Sequence, residues 1–324
     1  MNRRLVVVFV LLLSTVGSFP ALAQEQSDTQ PDWQPVGINF YESGQQALQN
    51  QDYDRVVLDA SLFVLLNPTD SQGYFMRSIG YLGREDADSA LSDIQTAIRF
   101  ATEDAYSPTY RANLFTLQAN IFTALEDTTS ALESYTEALD INPTVQAYTN
   151  RAFLFAQQES FDQAIADIDQ AVALGGDQSP PFLHLLRGFF NSSRGDSSGA
   201  AVDYMDYATL IGTDIRQADA FDPNEPRQLE FAEGRVYLIP VTIERPQNLS
   251  AIAAPGQDSQ VDPLIILLAP DGTPIVANDD TSNTDSSALI ENFPLASPGL
   301  YTLVVTYSGD TSTGTVVAAI ALDG

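Results

Sequence analysis

One short stretch limits what this chain can fold into: Asp127–Pro143, DTTSALESYTEALDINP. It reads as a single helix with a defined start and stop. Asp127 or Thr128 caps the N-terminus by accepting a backbone N–H bond. Ala131, Leu132, Tyr135, Ala138 and Leu139 then share one face. Pro143 ends the helix, because proline lacks an N–H and disfavours a helical residue before it. The same small–aromatic–small face recurs at Val56/Ala60/Phe63, Ala90/Ile94/Ala97, Ala164/Ile168/Ala171 and, more loosely, Ala200/Tyr204/Tyr207. Successive copies begin 34, 41, 33 and 36 residues apart. A recurrence of that length predicts an array of helix–turn–helix repeats.

Five helix pairs are expected: about Val36–Pro68, Ser71–Phe100, Arg111–Pro143, Thr144–Leu174 and Pro181–Ile211. A longer connection, Ala101–Tyr110, accounts for the spacing of 41. Ahead of them, Arg3 and Arg4 precede an apolar run, Leu5–Leu13, and then Ala21-Leu22-Ala23. That order predicts a secretory signal peptide over residues 1–23, followed by a polar leader over 24–36. The apolar run is short for a membrane span, and no later segment suits one. The expectation is an exported protein, periplasmic or extracellular.

Composition narrows the partners. The precursor carries 14 basic residues, all arginine, against 43 acids, for a net charge of −29. Such a surface repels phosphate backbones and disfavours nucleic acid and anionic lipid. It favours a neutral or basic protein or peptide partner. Solubility in a salty medium explains most of the acids, and divalent-cation binding is the sharper alternative. The absence of cysteine excludes disulfides, thiolate metal sites and a cysteine nucleophile. His184 is the single histidine, so no His-rich zinc site or Cys–His dyad can form. A packed role for His184 is the simpler reading. No enzyme is expected.

Residues 212–227 break the pattern, with Pro223 and Pro226, and are expected to be a linker. Beyond it, Val236–Ile243, Leu264–Leu268, Tyr301–Thr306 and Val316–Ile320 are β-rich runs between turn residues. Residues 228–324 are therefore expected to form an antiparallel β-sandwich. Its acidic stretch Asn278–Asp285 offers hard oxygen ligands at Asp279, Asp280 and Asp285, suited to Ca²⁺. An Asx-rich turn is the plainer alternative.

The helical part resembles tetratricopeptide repeats. The resemblance rests on the small residue of each first helix (Gly44, Ser78, Ala119, Ala152, Gly188), the aromatic ahead of it (Phe40, Tyr74, Phe115, Tyr148), and the second-helix faces above. It covers roughly residues 37–211. The resemblance implies a curved α-solenoid, with Tyr41, Gln45, Phe75, Ile79, Asn113, Thr116, Asn120, Gln146, Thr149 and Phe153 on the concave, partner-binding side. Some family members clamp a peptide's carboxylate with lysines, which this chain lacks. Separately, Arg77, Arg151 and Arg187 each precede an acid, Asp93, Asp167 and Asp203, by 16 residues. A bridge across each helix pair is expected there, with a ligand site as the alternative.

The β-region resembles the bacterial pre-peptidase C-terminal domain, through DPLIILLAPDGTPIVANDD (Asp262–Asp280) and SPGLYTLVVT (Ser297–Thr306). That implies a jelly-roll-like module. The expected whole is a multidomain α + β chain: an exported, non-catalytic scaffold, or alternatively an accessory component of a secreted hydrolase system whose β-domain binds polymer or Ca²⁺.

Overall fold

The computed structural model describes residues 39–323 except 224, 281–284 and 310–311. The expectations over 1–23 and 24–36 lie outside the described residues. Among the described residues, ten α-helices precede the strands: α1 Phe40–Gln49, α2 Tyr53–Leu66, α3 Ser71–Gly83, α4 Ala87–Phe100, α5 Pro108–Ala124, α6 Thr128–Ile141, α7 Val145–Gln157, α8 Phe161–Gly175, α9 Phe182–Arg194 and α10 Ser197–Ile211. Nine strands follow: β1 Asp214–Gln217, β2 Arg227–Phe231, β3 Arg235–Ile243, β4 Gln247–Pro255, β5 Asp262–Leu268, β6 Pro274–Asn278, β7 Ala288–Leu295, β8 Gly299–Ser308 and β9 Gly314–Asp323.

The turns inside the helix pairs share one local device. Gln51, Glu85, Glu126, Glu159 and Gly195 all have positive φ. Each directly precedes the residue that starts the second helix: Asp52, Asp86, Asp127, Ser160 and Asp196. The left-handed residue reverses the chain, and the four aspartates then accept an N–H from the new first turn. Three of these caps set an acid limit. Bonds from the Ser89 hydroxyl and N–H hold Asp86 below the usual carboxylate range. Ser130 does the same for Asp127, and the Gly199 N–H leads for Asp196. A carboxyl with a depressed folded pKa contributes stability above its unfolded value, about 3.9, and loses it as pH falls through the folded one. Helicity should hold from neutral pH to about pH 4 and decline below. In Asp86→Asn/Asp127→Asn that decline should flatten. An unchanged circular-dichroism profile would remove the caps as its cause.

The chain divides into two compact units, one reaching Leu154 and the other beginning at Phe155, so the division falls within α7. In the first unit, the long connection before α5 is anchored rather than slack. The Tyr106 hydroxyl donates to Asp70 Oδ1 at 3.2 Å and accepts from the Ser71 N–H at 3.2 Å. Ser71 Oγ lies 2.9 Å from the Tyr110 hydroxyl, and the rings of Tyr106 and Tyr110 stack at 4.9 Å. The inserted residues thus tie α5 to the start of α3. Burial, with the Asp70 carboxylate second, pushes the Tyr106 phenol up to about 12.

In the second unit the strands form two sheets, ordered β1-β3-β8-β5-β6 and β2-β9-β4-β7. Both contribute to one core that includes Phe231, Ile239, Leu249, Ile265, Ile290, Val305 and Val316. Alternation along β5 sends Ile265 and Leu267 into that core and Leu264 and Ile266 to the opposite face. There they pack with Val236, Val304 and four residues of α10: Ala200, Tyr204, Tyr207 and Ala208. A strand buried on both faces reads as a continuous apolar run, as DPLIILL does.

Two expectations change. The stretch 212–227 contains β1, which pairs with β3 from Asp214↔Arg235 to Gln217↔Leu238. That pairing is parallel, so the five-stranded sheet is mixed rather than purely antiparallel. Arg235 secures it by donating to Asp214 Oδ2 at 2.9 Å, and the N–H groups of Thr213 and Asp214 both donate to the Gly234 carbonyl. The DPLIILLAPDGTPIVAN hairpin forms as read: Gly272 takes φ +86° in the turn and Asp271 Oδ1 accepts from the Thr273 N–H at 3.0 Å.

Candidate protein-binding surface

The Arg–Asp spacing turns out to be one form of a more general ladder. Arg77 grips Asp93 with Nε at 2.6 Å and Nη2 at 2.8 Å. Arg187 donates from Nε to Asp203 Oδ1 at 2.7 Å, while Asn191 donates to Oδ2 at 2.7 Å. At the same separation of 16, Ser43 Oγ donates to Asp59 at 2.6 Å and Ser134 Oγ to Gln118 Oε1 at 3.2 Å. Asp59 receives its charge partner from its own helix, Arg55 Nε at 2.7 Å. Reasoning on identical Arg–Asp pairs missed those two rungs; any polar pair at this spacing was the available signal. The arginines also reach back to the preceding second helix. Arg77 Nη1 lies 3.5 Å from Ser61 Oγ, Arg151 Nη1 donates to Thr136 Oγ1 at 3.0 Å, and Arg187 Nη1 donates to Asp169 Oδ1 at 2.7 Å. Asp59, Asp93, Ser134, Asp167 and Asp203 are all buried. Paired buried charges of this kind hold the two helices of a pair in register.

Burial corrects half of the concave-side assignment. Tyr41, Phe75, Ile79, Thr149 and Phe153 are buried, so they support a surface instead of forming one. Tyr41 packs on the Phe63 ring at 5.4 Å, and Phe75 meets Tyr110 edge-on at 5.7 Å. Phe75 and Ile79 are covered because α5, tied down by Tyr106 and Tyr110, packs against them. Thr149 turns its hydroxyl back to the Val145 carbonyl at 2.8 Å. Gln45, Asn113, Thr116 and Asn120 remain partly accessible, and Gln146 is exposed. Asn120 is fixed in place: its Oδ1 accepts the Tyr135 hydroxyl in a short bond, with Asn150 Nδ2 at 3.4 Å. Both of these bonds use its carbonyl oxygen, so the amide N–H groups are the donors it can offer outward.

His184 sits on α9, with Nδ1 3.5 Å from Asp206 Oδ2 and near Asp203. Arg187 and Asn191 already occupy both oxygens of Asp203, and the arginine charge opposes a cation there. In the acidic stretch, Asp279 and Asp280 are half-buried after β6, and Asp285 is exposed. Asp285 Oδ1 accepts from the Ser287 N–H at 2.9 Å, and Asn278 Oδ1 accepts from the Leu289 N–H at 2.8 Å. The first is a local bond of the Asx-turn type; the second spans 11 residues and ties the end of β6 to β7.

Residues 112–144, from within α5 to just past α6, match the tetratricopeptide-repeat family profile. No curated protein matches the sequence. Similar solved structures include the MamA protein, at 13% identity over 52% of this chain and 88% of that one, TM-score 0.44. Another is MamA from Desulfovibrio magneticus RS-1, at 14% identity over 53% and 92%, TM-score 0.46. A third is YrrB, described as a TPR protein with an unusual peptide-binding site, at 15% identity over 53% and 85%, TM-score 0.42. The five helix pairs and the matched repeat together make the helical part of this chain tetratricopeptide-like.

Proposed function

We propose that this protein is an exported, non-catalytic scaffold whose helical array holds a protein or peptide segment. The observation that carries the reading is Asn120: partly accessible, locked by Tyr135 and Asn150, and with its amide N–H groups still to offer. Thr116 and Asn113 lie one and two turns earlier on the same helix face. A row of two amides and a hydroxyl suits hydrogen bonding to the backbone of an extended segment. The net charge of −29 favours a basic or neutral partner and faster association at low salt. The strands are read as a β-sandwich module of the pre-peptidase C-terminal kind. Any calcium at Asp279, Asp280 and Asp285 would raise the melting temperature, by an amount that grows with the logarithm of free calcium above its Kd.

The test is recovery of partners from an envelope fraction by the full mature chain, compared with Asn113→Ala/Asn120→Ala of unchanged helicity. Recovery should drop to background in the variant. Equal recovery by both proteins sinks the reading. A mature N-terminus at Met1 would sink export.

A further inference from the structure

The two sheets differ in what lies on their outward faces. The five-stranded sheet carries α10 over Val236, Leu264, Ile266 and Val304. On the four-stranded sheet, Leu249, Ala251, Ala253, Val316, Ala318 and Ile320 point into the common core. Their alternating neighbours therefore point out. The register sets Val317 opposite Ala254, Ala319 opposite Ile252, and Ile252 opposite Leu289. Ile252 and Val317 are 39% and 37% exposed. This is a continuous apolar strip across the two central strands and onto β7.

Among the described residues, the charges on the outward face of these four strands are acidic. Glu230 stands opposite Thr315 on the β2 side, Glu291 lies on β7, and Asp323 stands opposite Asn248 at the end of β9. All three are exposed. Arg227 belongs to the other face of β2 by alternation, and its guanidinium lies over the Phe221 ring at 5.4 Å.

We propose that this face docks a basic amphipathic helix of a partner protein, independently of the helical array. Its apolar side would lie on Ile252, Ala254, Val317 and Ala319, and its lysines or arginines would reach Glu230 and Glu291. A helix of about 10 Å diameter covers two strands spaced about 4.8 Å apart, which are β4 and β9 here. The chain shows the same packing once already: α10 presents Ala200, Tyr204, Tyr207 and Ala208 to the opposite sheet. A second copy of the chain fits poorly, because its acidic rim would oppose this one.

The experiment uses the full chain and a fluorescent amphipathic peptide with leucine on one face and lysine on the other. Binding should weaken by about tenfold or more in Ile252→Ser/Val317→Ser, since each loses a buried aliphatic contact. Glu230→Gln/Glu291→Gln should reduce the salt dependence. Leu65→Ser/Leu66→Ser, which alters the most exposed leucines of the described chain, 75% and 67%, should bind as the parent does. As a second measurement on the unaltered chain, the Ile252 methyl resonance should shift on adding peptide. Equal affinity in the Ile252/Val317 variant, or an unmoved methyl signal, would overturn the proposal and leave only diffuse charge attraction. So would a dimer in solution that the same variant abolishes, which would assign the face to a second copy.

Discussion

Tyr204→Ala is expected to destabilise the unit that begins at Phe155 by about 3–5 kcal/mol. The ring is 2% exposed and packs with Leu264, Ile266 and Val304. It also lies over Gly188, where an added Cβ would come within 2.7 Å of the ring, so that position offers no side chain to fill the space it leaves. Loss of that contact opens the outward face of β5, a strand with no exposed side. A fragment of residues 228–324 lacks β1 and α10, exposes Val236, Leu264, Ile266 and Val304, and should be insoluble or molten, whereas residues 155–324 should fold. Hydrogen exchange at β5 in the full-length variant is the direct measurement. Protection equal to the parent's, or a cooperative all-β fold for 228–324, would show that the sheet does not depend on the helix.

Arg187→Ala should cost a similar amount, about 3–5 kcal/mol, because it strands a buried carboxylate. Asp203 is 3% exposed and would keep Asn191 as a donor; Asp169 on α8 would lose the Arg187 guanidinium. Arg187→Met/Asp203→Leu removes both charges and should recover most of the loss, since an apolar pair of similar volume avoids the desolvation penalty. Urea midpoints of the single and double variants measure the difference. If the double variant is no better than Arg187→Ala, the loss comes from packing along the arginine stem and the ladder is not an electrostatic staple.

The helical half was legible because its determinants are local. The small–aromatic–small faces, the aspartate caps and the proline stops act within one or two turns, so the five pairs follow from the chain alone. The spacing of 16 residues was visible for the arginines, because identical residues repeat; the Ser43–Asp59 and Gln118–Ser134 rungs were not, because their chemistry varies. Tertiary structure decided the rest. Phe75 and Ile79 hold positions that face a partner in the repeat pattern. Here an inserted connection bearing Tyr106 draws α5 over them. Ile215 and Arg216 sit in a composition that reads as a linker, yet β1 forms because the Gly234 turn and Arg235 offer it a parallel edge. The DPLIILL run specified a strand buried on both sides, and only packing revealed that the second cover is α10. Periodicity records which face of an element is apolar; which distant element comes to lie on that face depends on contacts that no local pattern encodes.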